Sequence, residues 1–534
     1  MRVRSLYISA LLFISIVANA QQLGVRWGDS YKNRKNSYIT KIVGEDRDSY
    51  YAFRYSGGYV FSYVPHIWLD KYSGFSLQQQ FSRPMDIPTR AGEDVSIEDM
   101  LQIKGNFILL TSFFNRDASK KSVFAYSVDT AGKVYTKNSR EVDYIPSETR
   151  KDNRREYVTL SADSSALFFY HNEYDDKTGN ERLVCRLVNG TDFSELFFKS
   201  IDIPYKKEQI SIVNGVSDVE GNFFVLLKII PVEKGLFFKD KANSSYLMLS
   251  ISADGKVREY DLSLGTKSIS EILLKRAGDG NILVAGFYSN QTKSEDDMAG
   301  SFYIRIDGKT GDISSKGVKD FDKSFLSLFM SERKIDKGKE LYKYKLNDFI
   351  LRDDQGVILI AEQTFEDVVC FYDTRTGLQT CNTHYYYNDI IVISINPDGS
   401  VAWVRKIPKQ QETINDDGMF SSYLMYKRDK TIYMLFNDDI RNFTQQSLPF
   451  GTFDAEPYNM TAPHKAQVAV VSIDSAGYVT KKPFFNSKDS KIIIRPSLSY
   501  KADSDITVIY GEYGNRFRLG KLIYNESPDS SKVE

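Results

Sequence analysis

Between Asn388 and Ile407 the chain reads NDIIVISINPDGSVAWVRKI. Ile391, Ile393 and Ile395 alternate with Val392, Ser394 and Asn396, and a period of two predicts a strand. Asn396-Pro-Asp-Gly399 follows, and a second strand is predicted from Ser400 to Lys406. Proline pre-sets the bend and Gly399 supplies a positive φ, so the pair reads as a hairpin with a physical cause for its turn. The same pattern recurs along the chain. Asp70-Lys-Tyr-Ser-Gly74 follows HIWL, Asp129-Thr-Ala-Gly132 follows FAYSV, and Asn189-Gly190 follows VCRLV. Ala253-Asp-Gly255 follows LMLSIS, Asp307-Gly-Lys-Thr-Gly311 follows FYIRI, and Asp474-Ser-Ala-Gly477 follows VAVVSI. The spacing is roughly fifty-five to ninety residues, as expected for a repeat that carries insertions.

Each hairpin is preceded by another. Ile269 to Arg276 leads through Gly278-Asp-Gly-Asn281 to ILVAGFYS, and QISIV leads through Glu220-Gly-Asn222 to FFVLLKII. Asn347 to Leu351 leads through Arg352-Asp-Asp-Gln-Gly356 to VILIAEQ, and SSYLMY leads through Arg428-Asp-Lys430 to TIYMLF. The unit is therefore four antiparallel strands, a to d. Strand b is apolar almost throughout, as a strand packed on both faces must be. Repeated four-stranded units predict an all-β chain folded as a single β-propeller, with eight blades and seven as the alternative. The last unit has strand a near Arg495 to Tyr500, strand b from Ile506 to Tyr513 and strand c from Phe517 to Tyr524, but no strand d. Near the start, Leu23-Gly-Val-Arg-Trp27 is an orphan strand that resembles VAWVRKI, with Trp27 in the place of Trp403. It is expected to complete the last blade, which removes the free edges of an open array. A string of β-sandwich domains is the competing architecture, and it explains the missing strand d poorly.

The stretch from Asn347 to Gln411, with ILRDDQGVILIAEQ and YYYNDIIVISINPDGSVAWVRKIPKQQ, resembles a family of uncharacterised secreted bacterial β-propeller repeat proteins. That resemblance implies the propeller fold and export, and brings no activity.

Composition changes the picture in three ways. Lys+Arg and Asp+Glu are both 70, so no basic excess is present to neutralise phosphates and no nucleic-acid partner is expected. With 35 Tyr and 34 Phe but only 3 Cys, the chain is β-rich with a large core and is not a disulfide scaffold. Residues 1–20 read as a secretory signal peptide: Arg2 and Arg4, an apolar run from Leu6 to Val17, then Ala18-Asn-Ala20. Cleavage is expected between Ala20 and Gln21, leaving residues 21–525 as the propeller domain and 526–534 as a disordered tail. No later run is long and apolar enough for a transmembrane helix, so the expected location is extracytoplasmic, periplasmic or secreted.

Propeller topology places the a–b and c–d turns on one face and the b–c and d–a loops on the other. The first set is short. The second includes Phe81 to Glu98, Val134 to Arg155, Lys319 to Lys345, Thr364 to Tyr387 and Asp438 to Lys465, with the domain's insertions at 319–345, 364–387 and 438–465. Long loops on a rigid scaffold are where binding usually lives. Within the first insertion Phe325, Leu328 and Phe329 fall at helical spacing before ERKIDKGKEL, which predicts a short amphipathic helix packed over the rim. Cys370 and Cys381 flank a TRTG turn, and an oxidising compartment permits a bridge that adds roughly 3 kcal/mol against the unfolded chain. Cys185 falls on an apolar strand and reads as core.

His384, Tyr385, Tyr386, Tyr387 and Asp389 form an aromatic and acidic cluster suited to a sugar or a peptide. Glu362 and Asp389 are the carboxylates to inspect first. Arg441 to Ala466 adds Asn442, Phe443, Phe450, Phe453, Tyr458 and His464. No catalytic residue is assigned. His66, His171, His384 and His464 fall in different units, and the acidic pairs at 175, 296, 353, 416 and 438 lack the spacing of a calcium loop, so neither metal nor cofactor is expected. No G-x-S-x-G elbow or P-loop is present, and three Trp are too few for a quinone-dependent propeller dehydrogenase. The reading is an exported binding or scaffold module for a glycan or an extracytoplasmic protein. The alternative is a glycan-active hydrolase or lyase with carboxylates at the channel mouth, whose separation would set its stereochemistry.

Overall fold

The computed structural model describes residues 22–57, 66–88, 95–147, 157–174, 178–206, 209–231, 244–290, 296–443, 457–502 and 506–525. The expected signal peptide, Gln21, Phe450, Phe453, Asp175, Asp176 and the C-terminal tail lie outside these residues.

The described residues form eight antiparallel sheets of four or five strands, seven of them each built from one stretch of the chain, plus one two-stranded ribbon. The fifth sheet is representative: Ser268–Arg276, Ile282–Ser289, Gly300–Ile306 and Ile313–Asp320. Its second strand is buried along its whole length, because both faces are covered. Its fourth strand is mostly exposed. Turn glycines sit where the pattern put them, with φ of +87° at Gly280, +70° at Gly311 and +85° at Gly399.

Apolar side chains from each sheet meet those of the next. Leu359, Ile391 and Ile393 of the sixth sheet pack on Ala285, Phe287 and Tyr303 of the fifth. Ile360 and Val392 pack on Met434 and Phe436 of the seventh. One such cluster joins the eighth sheet to the first, with Leu498, Val508 and Tyr510 against Ile42, Tyr50 and Tyr72. The eighth sheet is Ile493–Lys501, Thr507–Tyr513 and Arg516–Asn525, and its fourth strand is Gln22–Trp27 from the other end of the chain. The register pairs Gly24 with Ile523 and Trp27 with Gly520. The Trp27 ring lies so close to Gly520 that a Cβ there would sit 2.7 Å from the indole.

Several expectations need correction. Asp70 to Ser73 are not a turn; they belong to the strand His66–Ser73. Phe81 to Glu98 and Val134 to Arg155 are largely strand where they are described; residues 89–94 and 148–155 lie outside the described residues. Phe81 lies in the fourth strand Gln79–Met85, Glu98 lies in the strand Val95–Ile103, and Val134–Pro146 is itself a fourth strand of 13 residues. An outermost strand faces solvent and therefore carries the polar residues that read as loop. Thr364 to Tyr387 is also mostly strand: Val357–Asp373 and Leu378–Ile395 run on past their sheet as a long hairpin. The single helix expected in 319–345 is two one-turn helices, Lys323–Leu326 and Glu332–Asp336. Phe325 stacks on Phe321 with centroids 4.0 Å apart and is buried, so the segment caps the gap between the fifth and sixth sheets.

Candidate binding face on the sixth sheet

The sixth sheet is Tyr344–Leu351, Val357–Asp373, Leu378–Ile395 and Val401–Ile407, with Gln411–Ile414 added along the third strand beyond the fourth. At the level where the hairpin leaves the core lies a buried network of charges. Lys409 is fully buried. Its Nζ lies 2.7 Å from Glu362 Oε1 and donates to the Tyr387 carbonyl at 2.7 Å and to Gln411 Oε1 at 2.8 Å. Glu362 Oε2 accepts from Ser422 Oγ at 2.7 Å. Asp389 takes Lys406 Nζ at 3.0 Å and the Lys409 backbone N–H at 3.2 Å. Gln411 Nε2 donates to the Asn437 carbonyl at 2.6 Å, and Asn437 Nδ2 donates to the Ile494 carbonyl at 2.9 Å. Lys481 pairs with the fully buried Asp438 at 2.6 Å. The sixth, seventh and eighth sheets are thus tied at one point. Burial pushes the Lys409 ammonium down, against Glu362, Asp438 and Asp389. Burial likewise pushes the Asp389 carboxyl up, against Lys406 and Lys409.

Glu362 and Asp389 are therefore brought together, but as partners of cations. Glu362 is 1 % exposed and does not face solvent. Lys409, Gln411 and Asp438 had no role in the sequence reading. The signal that could have found them is the charged KIPKQQ directly after an apolar strand, since long polar side chains at a strand exit in a packed repeat need buried partners.

Above the network the hairpin rises. His384 to Tyr387 pair with Gln411–Ile414 on one side and with Thr364 to Asp367 on the other. His384 Nδ1 lies 2.9 Å from Glu412 Oε1, Tyr386 Oη donates to the same oxygen at 3.3 Å, and Asn459 Nδ2 donates to Oε2 at 2.9 Å. Burial works upward on the Glu412 carboxyl, but the hydrogen bonds from His384, Asn459 and Tyr386 outweigh it and hold the group below its usual range. Tyr386 stacks on Phe365 at 4.7 Å. Tyr385, on the opposite face by alternation, donates to Asp417 at 2.9 Å. All four residues from His384 to Tyr387 are partly exposed.

The outer part is more open. Cys370 and Cys381 stand directly opposite and are joined by a disulfide. Val368, Phe371, Tyr372 and Leu378 are 59 %, 62 %, 66 % and 67 % exposed. At the hairpin's root, on the side of the fifth sheet, is a cleft of about 360 Å³ lined by Glu271, Asp296, Lys343, Lys345, Phe365 and Glu366 among others. Burial raises the Glu271 carboxyl, whose Oε2 accepts the Leu346 N–H at 3.1 Å.

The remaining candidates lie elsewhere. His171 is buried with Nδ1 3.1 Å from Asp143, on the second and third sheets. Cys185 is buried and burial raises its thiol. His66 and His464 are remote in sequence and share no partner with His384 among the described residues. Tyr458 N donates to Asn442 Oδ1 at 2.7 Å, which ties the two ends of the 439–458 connection together beside Asp438. No helix among the described residues is long and apolar enough to cross a membrane.

No family model matches the chain, and no curated protein matches it. The chain is similar to polysaccharide lyase Uly1, at 10 % identity and a TM-score of 0.39 over 93 % of this chain and 92 % of that one. It is similar to the β-propeller domain of the trilobed protease from Pyrococcus furiosus, at 8 % identity and a TM-score of 0.34 over 85 % and 98 %. The WD40 domain of SCAP from fission yeast gives 11 % identity and a TM-score of 0.28 over 82 % and 97 %. Likenesses this weak carry nothing about activity.

Proposed function

We propose that the chain is an exported eight-bladed β-propeller that acts as a binding or scaffold module, recognising a glycan or an extracytoplasmic protein on the face that carries the sixth sheet's hairpin. Residues 1–20 are removed on export in this reading. Gln22–Trp27 closes the ring by completing the eighth blade. The observation that carries the binding role is the hairpin itself. It is held at its base by the buried Glu362–Lys409 and Asp389–Lys406 pairs. It is bridged across its middle by Cys370–Cys381 and exposes Phe371, Tyr372 and Leu378 at its end. Large apolar side chains presented on a stiff projection mark an interaction site, because nothing in the fold itself needs them in water. Glu362 and Asp389 are positioning residues here, and His384, Tyr385, Tyr386 and Tyr387 belong to the contact surface.

The test is a glycan and peptide array probed with the chain from residue 21 onward, with mass spectrometry of every bound species. A variant in which Val369 to Asn382 is replaced by a two-residue turn removes the outer hairpin and leaves the buried network in place. Binding that is lost in this variant, with unaltered ligand recovered, is the expected outcome.

One observation favours the hydrolase or lyase alternative: the raised Glu271 carboxyl lines the same cleft as Glu366. Cleaved product on the array, abolished by Glu271→Gln while binding persists, would establish that reading instead.

A further inference from the structure

Resting on the binding reading above, we propose that the ligand is an extended polypeptide segment rich in lysine or arginine, which adds as a further strand to the outer edge of Val357–Asp373 and places a cationic side chain in the cleft at the hairpin's root.

The edge comes first. Val357–Asp373 pairs with Tyr344–Leu351 only as far as Gln363, and Thr364 N then donates to the Lys343 carbonyl at 3.1 Å. From Phe365 to Asp373, no strand among the described residues pairs with that edge. The phase of its hydrogen bonds follows from the cysteines. Their Cα atoms are 4.0 Å apart, which marks the narrow, non-hydrogen-bonded kind of antiparallel pair. The N–H and C=O of Cys370 therefore turn away from Leu378–Ile395, and those of Glu366, Val368 and Tyr372 do the same by alternation. Thr364, two residues before Glu366, points its N–H to that side, in agreement. The hairpin thus holds an ordered row of donors and acceptors, and the disulfide and the Gln411–Ile414 strand fix it from the other side. A preformed edge of this kind is what strand addition uses: main-chain hydrogen bonds supply affinity and alternate side chains supply specificity.

The occupant's chemistry follows from charge. The free segment carries Glu366, Asp367 and Asp373 and no Lys or Arg. Its root opens into the cleft, where Glu271, Asp296 and Glu366 outnumber Lys343 and Lys345. Lys343 Nζ lies over the Phe365 and Tyr342 rings at 5.3 and 5.2 Å. A strand with basic residues interleaved with apolar ones would meet carboxylates and the exposed Val368 and Tyr372 together. A second copy of this chain would bring one acidic edge against another, and like charges placed directly across a ladder are destabilising.

The experiment sorts a displayed library of random linear peptides on the full chain and on Val368→Pro. Proline is tolerated where an edge N–H faces solvent, so the variant keeps the hairpin and removes one outward donor; Val368→Thr is the control that keeps the donor. Retention of the Cys370–Cys381 bridge and of the thermal midpoint verifies that the variant is folded. The expected result is selected peptides enriched in Lys or Arg, weakened at least about tenfold by Val368→Pro, unchanged by Val368→Thr, and weakened by Glu366→Gln. A library without binders, or binders indifferent to Val368→Pro, overturns the proposal. If the wild-type protein then retains a glycan on the array, the broader binding reading survives alone. Self-association lost in Val368→Pro would also overturn it, by making a second copy the occupant.

Discussion

Val357–Asp373 begins in the core and ends in water. From Val357 to Glu362 every side chain is buried, and from Glu366 to Asp373 almost every one is exposed. Its partner Leu378–Ile395 mirrors this, exposed at the start and buried from Ile390 on. The inner halves are ordinary central strands whose apolar faces pack on the fifth and seventh sheets. Among the described residues the outer halves have no sheet to pack on, and a bare two-stranded hairpin is marginal in water. Three devices supply what packing does not: the buried charge network at the base, the added strand Gln411–Ile414, and the disulfide. The comparison teaches that residue types alike in β propensity can build core or contact surface, and that the surroundings of each half decide which.

The largest effect that tests this contrast is at the junction. Lys409→Ala leaves Glu362 buried without its cation and is expected to lower stability by about 3–5 kcal/mol, whereas the double change Lys409→Met with Glu362→Leu costs far less. Urea unfolding of the two variants measures the difference. Nearly as large is Ile393→Ala in the inner half, with an expected loss of about 2–5 kcal/mol for a fully buried side chain.

Removing the bridge with Cys370→Ser and Cys381→Ser acts differently. Closing so short a loop is worth roughly 3 kcal/mol to the hairpin. Because the bridged segment is exposed, the loss shows first as local opening: amide exchange from Val368 to Asn382 should quicken, and the global unfolding midpoint should fall by no more than that roughly 3 kcal/mol allows.

The two halves also answer pH with opposite sign. Glu412 is held below its usual range, so its clamp on His384 and Asn459 contributes above about pH 4.3 and is lost as pH falls through the lowered value. Asp389 is raised, so the fold binds its proton more tightly than the unfolded chain does; stability falls as pH rises from about 3.9 through the raised value, and is regained on acidification. Exchange rates at Gln411–Ile414 should therefore rise on acidification before those at Ile390–Ile395. The smallest effect is in the outer half, where Phe371→Ser should change stability by no more than about 0.5 kcal/mol. A larger loss there, seen by urea unfolding, would mean that the hairpin's end is packed and not displayed.

Much of this was legible in the residues. Alternation and glycine turns placed the four-strand unit, and NPDG and DSAG turns fall where the pattern put them. The orphan strand ending at Trp27 pairs with the chain's last strand, since the small Gly520 beneath its indole leaves room for the ring. The outermost strands were misread, because VYTKNSREVDYIP looks like a loop when only one of its faces is covered. At the candidate site, the aromatic run His384 to Tyr387 and the two cysteines could be read directly. Lys409, Gln411, Glu412 and Asp438 could not: each gains its role from a partner distant in sequence, Glu362 for Lys409, Asn437 for Gln411, Asn459 for Glu412 and Lys481 for Asp438.

The linear chain by itself determined the period of the strands, the positions of the turns and the excess of aromatic side chains, because these follow from local backbone chemistry and from alternation. Only the tertiary structure decided which carboxylates are buried against lysines, which strand edge has no partner among the described residues, and where the cleft beside Phe365 opens. Those depend on which sheets become neighbours, and side-chain period alone does not carry that information.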